Sequence, residues 1–193
     1  MALITLPNSF QPSSFALDPY VNQRSGASPF GGSEQVIDML NDRWVAKVEL
    51  PVRKYAEAAE LEAFIGALRG QVNTVLLHHF ARPSVRGSIA GDRTLAAAAP
   101  QGAGSISITA TGDVKAGDML GVGGLLVMVA SDAASVAGVI TVPLTNRLRR
   151  AVASGSAVTT FKPTAPFRMM ATSGVNFVPG FATTVSFDFA EVP

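Results

Sequence analysis

From Phe181 to Phe189 the chain alternates without a break. Phe181, Thr183, Val185, Phe187 and Phe189 fall on one side, and Ala182, Thr184, Ser186 and Asp188 fall on the other. Successive side chains of an extended strand point to opposite faces. The pattern therefore builds an aromatic wall, with Val185, Phe187 and Phe189 at its centre, that other apolar groups must cover. Trp44 to Leu50 repeats the pattern: Trp44, Ala46, Val48 and Leu50 face one way, and Lys47 and Glu49 the other. Pro51 ends that strand because it has no N–H to give to a ladder. Trp44, the only tryptophan, is expected to anchor the core.

Only one segment has helical periodicity. Within Lys54 to Arg69, the residues Leu61, Phe64, Ile65 and Leu68 recur at i, i+3, i+4 and i+7 and form one apolar stripe. Glu57, Glu60 and Glu62 lie toward its start and Arg69 at its end, the arrangement the helix macrodipole favours. Gly70 follows where a left-handed cap is expected. This stripe and the Trp44 strand are the natural partners of the aromatic wall. The strand formers Val72 to Phe80 follow at once and close at Arg82-Pro83.

The organisation expected is a mainly β (α+β) chain: a β-sandwich or barrel with one flanking helix, interrupted by an inserted small β-barrel or sandwich. Residues 1–35, rich in Pro, Ser, Asn and Gly and ending in the loop Ser28-Pro29-Phe30-Gly31-Gly32, read as an extended arm. Residues 36–95 and 164–193 form the first β unit with the helix 54–69, and 96–163 form the inserted module. The small residues of 87–104 read as a linker or long loop. From Ser105 onward, alternation (Ile106, Ile108, Ala110), a turn at Gly112-Asp113, and short strands near 118–121, 125–130, 138–143 and 157–162 follow at close spacing.

Length and composition narrow the function. A chain of 193 residues buries enough surface to fold without staples. Only 15% of its residues are charged, against about a quarter in an average soluble domain, as expected where neighbouring subunits cover the surface. Leu120 to Ile140 has the length of a membrane span, but the glycines 121, 123 and 124 and the Ser131-Asp132-Ala133 break make it a set of strands, so no membrane span is expected. Met1 to Phe15 lacks the basic start and apolar block of a secretory leader, and there is no cysteine. Synthesis in the cytoplasm is the expectation.

Catalytic and metal-binding constellations do not assemble from these residues. His78 and His79, the only histidines, point to opposite faces of a strand and cannot share a metal. No Gly-x-Ser-x-Gly elbow occurs. Gly121-Val122-Gly123-Gly124 precedes a strand, not the helix a phosphate loop requires, and is expected to turn a hairpin between Met119 and Met128. Asp113, Asp118 and Asp132 lack calcium-loop spacing. No enzyme, cofactor or metal is expected. The net charge of +1 and the single basic cluster Arg147, Arg149 and Arg150 do not make a phosphate-binding surface. The three arginines are candidate contacts between subunits.

Several motifs occur in a telling order: the Ser28-Pro29-Phe30 loop, Arg43-Trp44, the helix end Leu68-Arg69-Gly70, Arg82-Pro83, Gly117-Asp118-Met119-Leu120-Gly121-Val122-Gly123-Gly124, Pro143-Leu144, Leu148-Arg149-Arg150 and Pro166-Phe167-Arg168-Met169. In that order they resemble the distal tail or minor tail proteins of long-tailed bacteriophages. The resemblance implies a tail-tube-like β fold and a ring-forming virion subunit, commonly in six copies around a DNA channel, joining tail tube to hub. It implies partners among itself, tube, hub and fibres, with no sequence-specific nucleic acid. Another tail ring (tube, terminator or neck), or a carbohydrate- or fibre-binding module through the insertion, is the alternative expectation.

Overall fold

A computed structural model describes residues 1–27, 31–32, 34–39 and 42–192, so Ser28, Pro29 and Phe30 of the expected loop lie outside the described residues. The described chain is mainly β with a single helix, Tyr55–Leu68. It has two cores, each with a six-stranded sheet.

The first sheet runs, in spatial order, Leu3–Ile4, Thr74–Leu77, Ala165–Thr172, Val185–Glu191, Arg43–Leu50, Ser14–Tyr20. Its centre is the pair of alternating strands read from the sequence, antiparallel with Val48 opposite Phe187 and Ala46 opposite Phe189. Trp44, Ala46, Val48 and Leu50 are buried on one face, and Lys47 and Glu49 are exposed on the other. The helix lies on the apolar face with Leu61, Phe64 and Leu68 buried, and Ile65 is partly buried against the same core. Its C-terminal cap differs from expectation by one residue: Arg69, not Gly70, is the cap, with φ 49° and its N–H on Gly66 O. Gly70 continues the left-handed turn, and the Asn73 side chain donates to Ala67 O at 2.9 Å, satisfying a helix-end carbonyl.

The second sheet runs Leu125–Met128, Met119–Val122, Ala157–Thr159, Arg93–Leu95, Ser105–Thr109, Val139–Pro143. The hairpin expected around the glycines is present in the expected register, Met119 opposite Met128. Gly123 (φ 56°) and Gly124 (φ 83°) make a two-residue turn that requires positive φ at both positions. Leu120, Val122, Leu125 and Val127 enter the second core, while Met119 and Leu126 enter the first. The hairpin is thus covered on both faces. That two-sided burial is why its sequence reads as one apolar run.

Several expectations are corrected. The arm expected over residues 1–35 is packed into the first unit over its first twenty residues: Ser14–Tyr20 pairs along its whole length with Arg43–Leu50, Leu3–Ile4 pairs in parallel with Thr74–Leu77, and Phe10 is buried with its ring 5.8 Å from Phe64 and 5.7 Å from Phe187. Prolines space out the apolar residues of this segment and hide the strands. The inserted unit begins near Ser84, not at 96. Arg93–Leu95 is a strand of its sheet, Ile89 is in its core, and Ser84 bridges Phe161 where the chain returns. Residues 87–104 are therefore not a linker: Ile89, Leu95 and Ala99 are buried in the second core, while Ala90 and Ala96 to Ala98 stay exposed and leave no period to read. The strand expected over 72–80 is Thr74–Leu77 only. Phe181 leaves the aromatic wall: Phe181–Ala182 pairs with Arg53–Lys54 instead, and the change of partner before Val185 puts Ala182 inside and Phe181 outside at 49% exposure.

Candidate assembly site

Arg147, Arg149 and Arg150 lie in the loop after Val139–Pro143, and the structure gives each an acceptor within the chain. Arg149 forms a buried ion pair with Glu191, with side chains 6% and 1% exposed. Arg150 donates to Gly123 O at the hairpin turn. Arg147 pairs with Asp38 at 3.1 Å. Arg149 therefore cannot reach a neighbouring subunit, and that expectation is corrected. A strand-end acid and a loop arginine from the two units attract each other once both are desolvated.

The Arg149–Glu191 pair is the centre of a joint between the two cores. Glu191 ends the last strand of the first unit. Its Oε2 accepts from Trp44 N at 3.1 Å and its Oε1 from Leu126 N at 3.4 Å. The Trp44 indole donates to Leu126 O at 2.7 Å. Asn146 donates to that same oxygen at 3.2 Å and accepts from Met128 N at 3.1 Å. Burial pushes the Glu191 carboxyl up, against the Arg149 charge and the two N–H groups that pull it down. Trp44 is thus a core anchor, as expected, and also a polar link between units. Glu191 and Asn146 carry no sequence signal; only the three-dimensional meeting of residues 44, 126, 146 and 191 reveals them.

A second clasp holds the first crossing of the chain between units. Buried Asp118 accepts from the N–H groups of Arg86 (2.9 Å), Gly87 (3.2 Å) and Lys115 (2.9 Å). Gly87 is required there, since a Cβ would come within 2.1 Å of Asp113 O. The Lys115 ammonium sits between Asp113 (2.8 Å) and Asp132 (3.2 Å), and its hydrogen bond, with that of Ser88, holds the Asp113 carboxyl well below the usual carboxylate range. These three aspartates are structural clasps around cations and N–H groups of the chain. Both histidines lie just past the Thr74–Leu77 strand. His79 is buried, with its Nε2 3.2 Å from Arg82 Nε, and burial and then the Arg82 charge hold its pKa below the ordinary value. The His78 ring lies tilted against Phe80, with centroids 4.5 Å apart. Among the described residues no three His, Asp or Glu side chains converge to hold a metal, and no helix is long and apolar enough to cross a membrane.

Among the described residues, two surfaces with grouped apolar side chains are exposed, besides Leu3 and Leu76 at the edge of the first sheet. The first is a hairpin, Gln23–Ala27 with Glu34–Asp38, whose ten residues are all exposed. It overhangs the pair formed by Ser14–Tyr20 and Arg43–Leu50, and the Met39 N–H to Asn22 O bond (2.9 Å) continues the ladder at its base. Val36, Ile37 and Met39 lie open at 59%, 54% and 47% exposure. The second surface is at the three-stranded sheet Phe177–Val178, Phe181–Ala182, Arg53–Lys54. There Phe177, Val178 and Phe181 stand exposed beside Val52 and Tyr55, and the rings of Tyr55 and Phe177 are 5.8 Å apart. Neither surface has a sequence signature beyond apolar residues among turn formers.

Compared with known proteins, the chain matches no family model and no curated protein sequence.

Proposed function

We propose that this chain is a virion structural subunit that assembles into a ring at the tail tip of a bacteriophage, joining tail tube to hub or fibres around a channel for DNA. The observation that supports this reading best is the hairpin of Gln23–Ala27 with Glu34–Asp38, whose ten described strand residues are all exposed. A two-stranded hairpin alone in water is marginal, and exposed apolar ladders invite pairing with another chain. A subunit whose working partner is a neighbour in a ring presents such an element. The ordered resemblance to distal tail proteins points the same way. So does the fate of the basic cluster: Arg147, Arg149 and Arg150 are spent on acceptors of their own chain, which suits a channel that passes DNA without gripping it, since each neutralised phosphate adds affinity.

Light scattering and class-averaged electron microscopy of the purified chain test the proposal. Closed rings with an open centre are expected. A particle that stays monomeric at high concentration, with no such ring in intact virions, overturns it.

A further inference from the structure

The cavity at the first crossing between the units gathers more positive charge than its own lining neutralises. Its volume is about 250 Å³, and it is lined by Arg82, Ser84 and Arg86 of the crossing segment and by Gly117 and Asp118 of the inserted unit. Both guanidinium groups come to the same place. A Cβ on Gly117 would lie 3.4 Å from Arg82 Nη1 and 3.6 Å from Arg86 Nη2. Like charges brought that close repel, and an anion beside both removes the cost. Gly117 has no side chain to fill the space, and its φ of 84° disfavours one.

Only one carboxylate lines this cavity, and it is already engaged. Buried Asp118 accepts from Arg86 Nε at 3.4 Å besides its three backbone N–H groups. Asp113 and Asp132 are held by Lys115 and lie outside the lining. Arg82 has no carboxylate partner among the described residues. Its Nε and Nη2 lie 3.2 and 3.1 Å from His79 Nε2, and its Nη1 donates to Gly117 O at 3.0 Å. Those contacts orient the fork and bring it no negative charge. A guanidinium carries more N–H donors than these contacts use.

We infer that this cavity binds a small tetrahedral oxyanion, of the phosphate class, between Arg82 and Arg86. A planar fork pairs with two oxygens of an oxyanion at once. A carboxylate has oxygens enough for one fork, and a tetrahedral anion has enough for both. Arg82 precedes the crossing and Gly117 belongs to the inserted unit, so the bound anion would also brace the two units. The inference stands apart from the ring reading.

The test is inorganic phosphate titrated into the full chain at constant ionic strength, with chloride as the control. Saturable binding by calorimetry is expected, with a urea midpoint that rises with phosphate concentration. Arg82→Gln is expected to weaken binding about ten- to a hundredfold, as a lost charge-assisted hydrogen bond does. Arg82→Lys keeps the charge without the fork and is expected to restore only part of the affinity. It also serves as the test variant if Arg82→Gln does not fold. Phosphate stabilises proteins by exclusion as well, so the increment that counts is the native chain's over that of Arg82→Lys. Acetate is expected to bind more weakly than phosphate. Equal midpoints in phosphate and chloride overturn the inference, and so does phosphate binding that neither Arg82 variant weakens. Acetate binding as tightly as phosphate overturns the tetrahedral assignment. Duplex DNA that binds where free phosphate does not overturns it in favour of a polymer.

Discussion

The hairpin Met119–Val122 with Leu125–Met128 and the hairpin 23–38 are both short antiparallel ladders, four and five residues to a strand. The first is sandwiched between two cores, with Leu120, Val122, Leu125 and Val127 on one side and Met119 and Leu126 on the other. The ten described strand residues of the second are all exposed. The same local geometry serves opposite purposes because of what surrounds it. In the first, each face removes apolar area from water and the backbone of Leu126 is stitched to Trp44, Asn146 and Glu191, so it fuses the two units. In the second, Val36 and Ile37 stay exposed in the single chain.

If the joint fuses the units, breaking it has the largest effect. Arg149→Ala leaves Glu191 buried without its partner and is expected to cost about 3–5 kcal/mol, measured by equilibrium urea unfolding. Arg149→Met with Glu191→Leu is expected to recover only part of that, because the buried Trp44 and Leu126 N–H groups lose their acceptor. An unchanged midpoint for the single variant would show that the ion pair does not hold the units together.

The contrast between the hairpins is tested by truncating one side chain in each. Leu126→Ala is expected to cost about 2–5 kcal/mol, the transfer and cavity cost of a buried leucine. Ile37→Ala, at an exposed site, is expected to stay within about 0.5 kcal/mol while weakening association in light scattering. Equal losses of stability would mean that the 23–38 hairpin is packed in the monomer after all.

A smaller effect comes from the crossing between units. His79 is held below its ordinary value in the folded chain, so the folded state binds fewer protons than the unfolded state. Its stabilising contribution is full above about pH 6.5 and is lost as pH falls through the lowered folded value. The slope is up to about 1.4 kcal/mol per pH unit. Urea midpoints between neutral and mildly acidic pH are expected to fall more steeply for the native chain than for His79→Gln. Parallel profiles would remove His79 from the account. His78, lowered by burial and by the Lys162 charge, adds a slope of the same sign, and Glu191, raised by burial, one of the opposite sign.

Much of the fold is legible where one face of an element is wet. Trp44, Leu61, Phe64, Leu68, Val185, Phe187 and Phe189 are inside, as periodicity requires, and Ile65 lies at the margin of the same core. The Gly123-Gly124 turn and its register also follow from the sequence, since few residues other than glycine adopt positive φ twice in succession. Ser14–Tyr20 and Arg93–Leu95 were hidden because edge and short strands bury few side chains and leave little alternation to read. The exposed apolar surfaces were half hidden: Phe181 looks like part of the wall until the strand's change of partner turns it outward.

What the sequence by itself determined is the class of element at each strongly periodic segment, because burying one face imposes a period of two or 3.6 on the chain. What only the tertiary structure decided is which distant groups meet. Arg149 looks like a surface cation and becomes the buried partner of Glu191. Asp118, read from the sequence only as one of three aspartates without calcium-loop spacing, becomes the acceptor that holds the crossing. Polar contacts have no period, and a charge is stabilising in the interior only where the fold has already brought its partner to it.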